Sequence, residues 1–217
     1  MRTKGFIFDL DGTLIDSMGV WESIGEQYLR KNGVTHIPAD FTNIIKTMDL
    51  AESALFIKNE FQLPFSPGEI RNQIVQFIED QYRYHIPLKK GVREFLERNA
   101  GVQMCIATAT DQALAAAVLK RLCIDRYFSF VLTTADVGCG KDRPDIFLKA
   151  AKMLGLKNDE VLIFEDSLHA VETAKRAGFC VAAVYDDVAK NEQDALKSIA
   201  DIYLTDLNEL DTACVNE

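Results

Sequence analysis

Acidic residues follow two strand-like apolar runs of this 217-residue sequence. Asp9 and Asp11 end the first run, and Glu165 and Asp166 come directly after a later one. Because the carboxyl ends of parallel strands meet at one edge of a sheet, we expect these carboxylates to lie close together. Burying them side by side without a counter-charge is costly, and a hard divalent cation with oxygen ligands removes that cost. Mg²⁺ is such a cation and commonly also binds a substrate phosphate, so these residues indicate Mg²⁺-assisted chemistry on a phosphate group.

Groups that suit phosphate oxygens are expected at the same edge. Thr108 ends another apolar run, and Lys141 lies in the loop after the next one. Gly12 would let the backbone approach a phosphate and present its N–H groups. Taken singly, each has an ordinary explanation as a helix cap, a solvated lysine or a turn glycine. Their shared position after separate strands favours a common site.

Alternating strand and helix patterns must position these residues. Helical patterns cover residues 113–122, 146–154 and 168–177, and Gly178 stands where a helix would end. This alternation predicts an α/β fold, a doubly wound, Rossmann-like parallel sheet with helices on both faces. The predicted strands are residues 4–10, 102–108, 128–134, 161–164, 180–185 and 202–204.

The segment of residues 17–87 interrupts this alternation and is mostly helical in pattern. We interpret it as an α-helical domain inserted after the first strand, so that residues 1–16 and 88–217 form the core domain. Its aromatic residues are expected to form its own core. The side chains that could instead select a substrate are Trp21, Tyr28, Phe41, Lys46 and Met48. Trp21 is the first to test, although core packing is the commoner role for a tryptophan at helical spacing.

The composition excludes several classes of function. The net charge is −9, whereas nucleic-acid and anionic membrane surfaces attract excess Lys and Arg. No apolar run approaches the roughly 20 residues that span a bilayer, and the N-terminus lacks the apolar core of a signal peptide. The five cysteines are widely spaced without a C-x-x-C pair, as expected of free thiols. We therefore expect a cytoplasmic protein without nucleic-acid or membrane partners; the sequence does not indicate an oligomeric state.

The motifs together match a known family. Residues 9–17 read Asp-Leu-Asp-Gly-Thr-Leu-Ile-Asp-Ser, and they are accompanied by Thr108, Lys141 and Glu165-Asp166-Ser167. This set resembles the haloacid dehalogenase (HAD) superfamily, in particular its β-phosphoglucomutase-like phosphatase branch. The branch has an α-helical cap inserted after the first motif, where the helical segment falls here. The resemblance therefore implies a Rossmann-like HAD core with a cap that closes over the site.

The resemblance also implies roles for individual residues. Asp9 would be the nucleophile that forms an aspartyl-phosphate, and Asp11 the general acid and then the general base. The implied substrate-binding residues are Gly12, Thr108, Ala109 and Lys141. The implied Mg²⁺ ligands are Asp9, the Asp11 backbone carbonyl and Asp166, with Glu165 either on the ion or one contact away from it.

The expected function is a Mg²⁺-dependent phosphatase for a small phosphorylated metabolite, such as a sugar phosphate or a nucleotide-like molecule. A phosphomutase of the β-phosphoglucomutase type is one alternative, and a non-catalytic metal- or phosphate-binding protein is another. Mutases of this branch carry a histidine in the first cap helix, and residues 18–21 contain none. The complete set of site residues disfavours the non-catalytic alternative.

Overall fold

The chain folds into two compact units. The computed structural model describes residues 3–45, 48 and 50–210. The first unit runs to Ser17 and resumes at Ile86, and we call it the sheet unit; Met18–His85 forms the second, the helical unit. The inserted domain expected at residues 17–87 therefore begins one residue later and ends two residues earlier than expected.

A parallel six-stranded sheet forms the centre of the sheet unit, which confirms the predicted α/β fold class. Its strand order is β3-β2-β1-β4-β5-β6. The strands are β1 Gly5–Phe8, β2 Gln103–Thr108, β3 Val131–Thr133, β4 Val161–Glu165, β5 Cys180–Val184 and β6 Ile202–Leu204. The third strand is shorter than the predicted residues 128–134, because Thr133 accepts a hydrogen bond from the Asp136 N–H and caps a helix that begins at Thr134.

The strand order reverses beside β1, and this reversal places the site. β1 is hydrogen-bonded to β2 on one side and to β4 on the other, with Phe8 paired to Phe164. In doubly wound sheets, ligands bind beyond the carboxyl ends of the strands at such a switch point. The residues that follow β1 and the end of β4, beginning with Asp9 and Glu165, therefore lie together at this point.

Helices connect the strands at the predicted positions and make up most of the helical unit. Gly178, with φ of 83°, follows the end of α9 as predicted. The helices are α1 Met18–Lys31, α2 Phe41–Ile45, α3 Leu50–Phe61, α4 Pro67–Asp80, α5 Val92–Arg98, α6 Gln112–Arg121, α7 Thr134–Val137, α8 Asp145–Leu154, α9 Leu168–Arg176 and α10 Gln193–Ile199. A π-helical turn, Gln81–His85, continues α4, and short 3₁₀ turns are Asp125–Tyr127, Asn158–Glu160, Lys190–Glu192 and Leu207–Glu209.

Alternate side chains of the central strands pack on opposite faces of the sheet. On one face, Ile7 and Ile163 belong to a core of aliphatic and alanine side chains that includes those of α8 and α9. The other face carries an aromatic cluster in which the rings of Phe8 and Phe164 stack with centroids 4.4 Å apart. Phe95 of α5 packs against both rings. Both faces of the sheet are thus covered.

The helical unit has a core of its own. Ile70, Ile74 and Ile78 form one buried stripe along α4, as their spacing predicts, and Tyr28 and Phe41 are also buried. The core-packing expectation is wrong for Trp21, which is 38% exposed. Its indole N–H donates to the Tyr82 hydroxyl at 2.9 Å, so the ring lies partly exposed beside a buried tyrosine with its polar atom bonded. Met48 is half-buried, and Lys46 lies outside the described residues.

Two short segments of the sheet unit pair with each other where the chain leaves this unit, at Ser17, and where it returns, at Ile86. Ile15 and Leu88 form an antiparallel bridge. The Asp16 N–H donates to the Pro87 carbonyl at 3.0 Å, and the Lys89 N–H donates to the Leu14 carbonyl at 3.0 Å. We call residues 14–16 and 87–89 the connection ribbon.

Candidate active site

A buried lysine joins the two acidic motifs. Asp9 directly follows β1, and its backbone N–H donates to the Phe164 carbonyl at 2.9 Å. The Lys141 ammonium donates to Oδ1 of Asp9 and, at 2.6 Å, to Oε1 of Glu165. All three side chains are at least nine-tenths buried. The structure therefore brings together three predicted site residues that lie far apart in the sequence.

Glu165 also shapes the turn that follows β4. Its Oε2 accepts hydrogen bonds from the backbone N–H groups of Asp166 and Ser167, at 3.0 and 3.1 Å. The hydroxyl of Thr13 lies 3.4 Å from Oδ1 of Asp166. These contacts direct the Asp166 carboxylate to the sheet edge beside Asp9.

The carboxylates form a group that can hold a cation. Asp9, Glu165 and Asp166 are buried and offer oxygen atoms that all lie within 4.8 Å of one another. Burial raises the pKa of Asp9 to about 7, opposed by Lys141 and reinforced by Glu165 and Asp11. Burial, followed by the charges of Glu165 and Asp9, raises the pKa of Asp166 well above its usual range. The group therefore needs more positive charge than Lys141 supplies, and hard oxygen ligands suit Mg²⁺.

Lys141 keeps its positive charge at this site. Burial alone would lower the pKa of the Lys141 ammonium, but the charges and hydrogen bonds of Asp9 and Glu165 outweigh burial and raise it. A permanently charged ammonium beside a carboxylate can also attract a phosphoryl group.

The carboxylate of Asp11 is held apart from this group. Among the residues that the structure describes, the carboxylates close enough to share one cation are those of Asp9, Glu165 and Asp166, and the Asp11 carboxylate is not one of them. Its Oδ1 accepts from the Ser17 hydroxyl at 2.6 Å, and its Oδ2 from the Thr110 hydroxyl at 2.5 Å. This separation fits a proton-transfer role for the side chain better than a ligand role.

The predicted phosphate-binding residues differ in how they are placed. Thr108 is fully buried at the end of β2, and its hydroxyl accepts from the Thr110 N–H at 3.0 Å. Ala109 is exposed between them. Gly12 adopts φ of 79°, as a turn glycine should. The turn uses the Gly12 N–H for a hydrogen bond to the Ile15 carbonyl at 3.0 Å, and phosphate binding at this turn stays a prediction.

Two features near this edge were not predicted from the sequence. One is Thr110, which contacts Asp11. The other is Asp186, which is 3% exposed beyond β5 and accepts from the Lys89 ammonium at 2.8 Å. Its charge contributes to the raised pKa of Asp166. A signal was present, because Asp186 follows an apolar run just as the other acidic residues do.

His169 takes no part in the carboxylate group. Its Nδ1 lies 2.6 Å from the Ser167 hydroxyl, and the pair is exposed at the start of α9.

In the described ranges, no helix is long and apolar enough to cross a bilayer. The four cysteines within these ranges are free thiols, and Cys214 lies outside them.

Comparisons with known proteins agree with the geometry. The model of the family described as haloacid dehalogenase-like hydrolase matches residues 6–184. Hexitol phosphatase A of Escherichia coli (strain K12) is 30% identical over 210 residues, covering 94% of this chain and 95% of that protein. Phosphorylated carbohydrates phosphatase of Thermotoga maritima is 29% identical over 186 residues, covering 81% and 82%.

A crystal structure from Thermotoga maritima has the same fold, with a TM-score of 0.82, 24% identity and 96% of each chain covered. The relatives named as phosphatases confirm that the chain is an enzyme of the phosphatase class. The match extends over most of the chain and includes both acidic motifs and the lysine between them. This protein therefore belongs to the haloacid dehalogenase-like hydrolase family.

Proposed function

We propose that the protein is a Mg²⁺-dependent phosphatase that hydrolyses a phosphorylated carbohydrate through an aspartyl-phosphate on Asp9. The observation that carries this proposal is Lys141, which is buried between Asp9 and Glu165, with Asp166 beside them. This arrangement supports the proposal, because it brings a carboxylate that could act as nucleophile close to an ammonium and to carboxylates that could hold a metal ion. The carbohydrate substrate is supported by the two relatives named for phosphorylated carbohydrates and hexitols.

In the first step, an oxygen of the Asp9 carboxylate attacks the phosphorus atom of the phosphate ester. The new oxygen–phosphorus bond forms as the bond to the leaving oxygen breaks, and that oxygen takes a proton from Asp11. The products are the free alcohol and the aspartyl-phosphate. In-line positioning and charge stabilisation account for most of such catalysis.

In the second step, a water molecule attacks the phosphorus atom and gives a proton to Asp11. The bond between phosphorus and the Asp9 oxygen breaks, so the Asp9 carboxylate is restored and inorganic phosphate leaves. Asp11 ends in the protonated form with which it began. The sum of the two steps is hydrolysis of the ester by one water molecule.

The remaining groups hold the phosphoryl oxygens and the charge. Lys141 would bind one phosphoryl oxygen with its ammonium, and Thr108 another with its hydroxyl. Asp9, Asp166 and the Asp11 carbonyl would hold Mg²⁺, with Glu165 orienting the turn that carries Asp166. When bound, Mg²⁺ would neutralise charge on the carboxylates and the phosphoryl group.

A substrate panel tests this proposal. Purified protein is incubated with hexose phosphates, hexitol phosphates and nucleotides, with Mg²⁺ or with a chelator, and released phosphate is measured. We expect phosphate to be released from a carbohydrate phosphate only when Mg²⁺ is present. Replacing Asp9→Asn should reduce it by a factor on the order of 10³ or more, since a nucleophile is lost. The exposed Asp159→Asn serves as the matched control and should leave it unchanged.

Two results would contradict the proposal. One is retention of most of the Mg²⁺-dependent release by Asp9→Asn. The other is transfer of the phosphoryl group to a second sugar hydroxyl, dependent on a bisphosphate activator, in place of release to water. That second result would establish the phosphomutase alternative.

A further inference from the structure

Thr110 connects two groups to which the proposed function gives different tasks. It lies two residues beyond β2 and one residue before the Asp111 cap of α6, and it is 9% exposed. Its hydroxyl donates to Oδ2 of Asp11 at 2.5 Å, across 99 positions of sequence. Its backbone N–H donates to the Thr108 hydroxyl at 3.0 Å. One residue therefore ties the proposed acid–base group to the proposed phosphate-binding hydroxyl.

The Asp11 carboxylate is held on both of its oxygens. Ser17 donates to Oδ1 at 2.6 Å while Thr110 donates to Oδ2. Hydrogen bonds to both oxygens oppose rotation of the carboxyl group about its bond to Cβ. Proton transfer requires the acid within hydrogen-bonding reach of the leaving oxygen and correctly aligned, so this restraint has a catalytic consequence.

A hydroxyl suits both protonation states that the two steps require. It can donate to the ionised carboxylate that follows the first step and accept from the protonated acid that precedes it. The contact between Thr110 and Asp11 therefore need not break when Asp11 gains or loses its proton. A side chain of the same shape without the hydroxyl would keep the packing and lose the contact in both states.

We propose that Thr110 is a positioning residue that orients the Asp11 carboxyl group for proton transfer to the leaving oxygen. The inference rests on the proposed function, because it takes Asp11 as the acid and base. It assigns Thr110 no contact with the substrate. Loss of its hydroxyl should therefore lower kcat, and lower it more for a poor leaving group than for a good one. Mg²⁺ binding should change little.

Thr110→Val tests this role, because valine keeps the shape of threonine and the backbone N–H that bonds Thr108. The substrates are an alkyl phosphate, whose poor leaving group needs a proton, and 4-nitrophenyl phosphate, whose leaving group needs little help. We expect kcat for the alkyl ester to fall about 10²-fold, the low end of general acid–base contributions, and far less for the nitrophenyl ester. Thr110→Ser, which keeps the hydroxyl, should stay within about threefold of the wild type on both.

Equal losses of kcat on the two esters would overturn the inference, because they indicate a general structural defect. An unchanged kcat for the alkyl ester, or failure of Thr110→Ser to restore it, would also overturn it. Mg²⁺ titration by calorimetry checks that metal binding is unaffected. If Thr110→Val does not fold, Thr110→Ala applies the same comparison. Asp9→Asn reports separately on the proposed function, since it should be inactive on both esters.

Discussion

Glu165 uses both of its carboxylate oxygens for contacts within the protein. Oε1 accepts from the Lys141 ammonium, and Oε2 accepts from two backbone N–H groups of the following turn. The sequence left open whether Glu165 would bind the metal directly or one contact away. The hydrogen bonds favour the second role, in which Glu165 holds Asp166 and Lys141 in place. Residues in such a supporting position commonly contribute 10-fold to 100-fold to metal affinity.

Glu165→Gln should therefore weaken Mg²⁺ binding by about 10-fold to 100-fold, because its amide nitrogen cannot accept a hydrogen bond. Isothermal titration calorimetry measures the affinity. Asp166→Asn is the matched comparison, and it should weaken binding more because it changes a proposed ligand. A larger loss in Glu165→Gln than in Asp166→Asn would show that Glu165 binds the ion itself.

The strands explain why part of the candidate site could be predicted from the sequence. Asp9, Thr108 and Glu165 each terminate or follow a buried strand, so their meeting at one sheet edge followed from strand pattern and parallel topology. The positions of β1, β2 and β4 were predictable for the same reason. The end of β3 was not, because a capping interaction at Thr133 replaces strand with helix there.

The contacts that the sequence did not predict join loops. Thr110 and Asp11 are 99 positions apart, and no periodic pattern relates them. The Gly12 N–H is used within its own turn, which depends on the backbone conformation of that turn and not on residue type. Residue pattern thus predicts which strand ends meet, whereas the hydrogen bonds beyond them follow from tertiary geometry.

The Lys89–Asp186 ion pair fastens the connection ribbon to the loop after β5. The Lys89 ammonium donates to Oδ2 of Asp186 at 2.8 Å and to the Tyr185 carbonyl at 2.5 Å. The two side chains are 14% and 3% exposed. Removal of one partner leaves the other as an uncompensated buried charge.

Lys89→Met should therefore lower the free energy of unfolding by about 3–5 kcal/mol, measured by urea denaturation. The matched control is Lys4→Met, which breaks the exposed Lys4–Glu160 pair and should cost less than about 1 kcal/mol because water screens that pair. Similar losses in the two variants would contradict a structural role for the buried pair.

The sheet unit and the helical unit each have a hydrophobic core. The connection ribbon holds residues 16 and 87 in hydrogen-bond contact, so the ends of the sheet unit's two segments are already adjacent. We therefore propose that the helical unit is an insertion that the sheet unit does not need for folding. The cost of closing a short replacement loop between adjacent ends is small.

Replacing residues 18–85 by a short glycine–serine linker should leave a cooperatively folding sheet unit that still binds Mg²⁺. Circular dichroism during thermal unfolding reports the folding, and calorimetry reports the binding. The carboxylates that could hold a metal ion all belong to the sheet unit, which is why binding should survive. Loss of cooperative unfolding would show that the two units fold only together.

Trapping the phosphorylated intermediate determines whether Asp9 carries the phosphoryl group. The protein is mixed with a carbohydrate phosphate that it hydrolyses and with Mg²⁺, quenched in acid during turnover, digested and analysed by mass spectrometry. We predict one added phosphoryl group on the peptide that contains Asp9, dependent on substrate and absent from Asp9→Asn. Phosphate release during turnover without this adduct, or with an adduct on a different residue, would show that Asp9 is not the phosphorylated nucleophile.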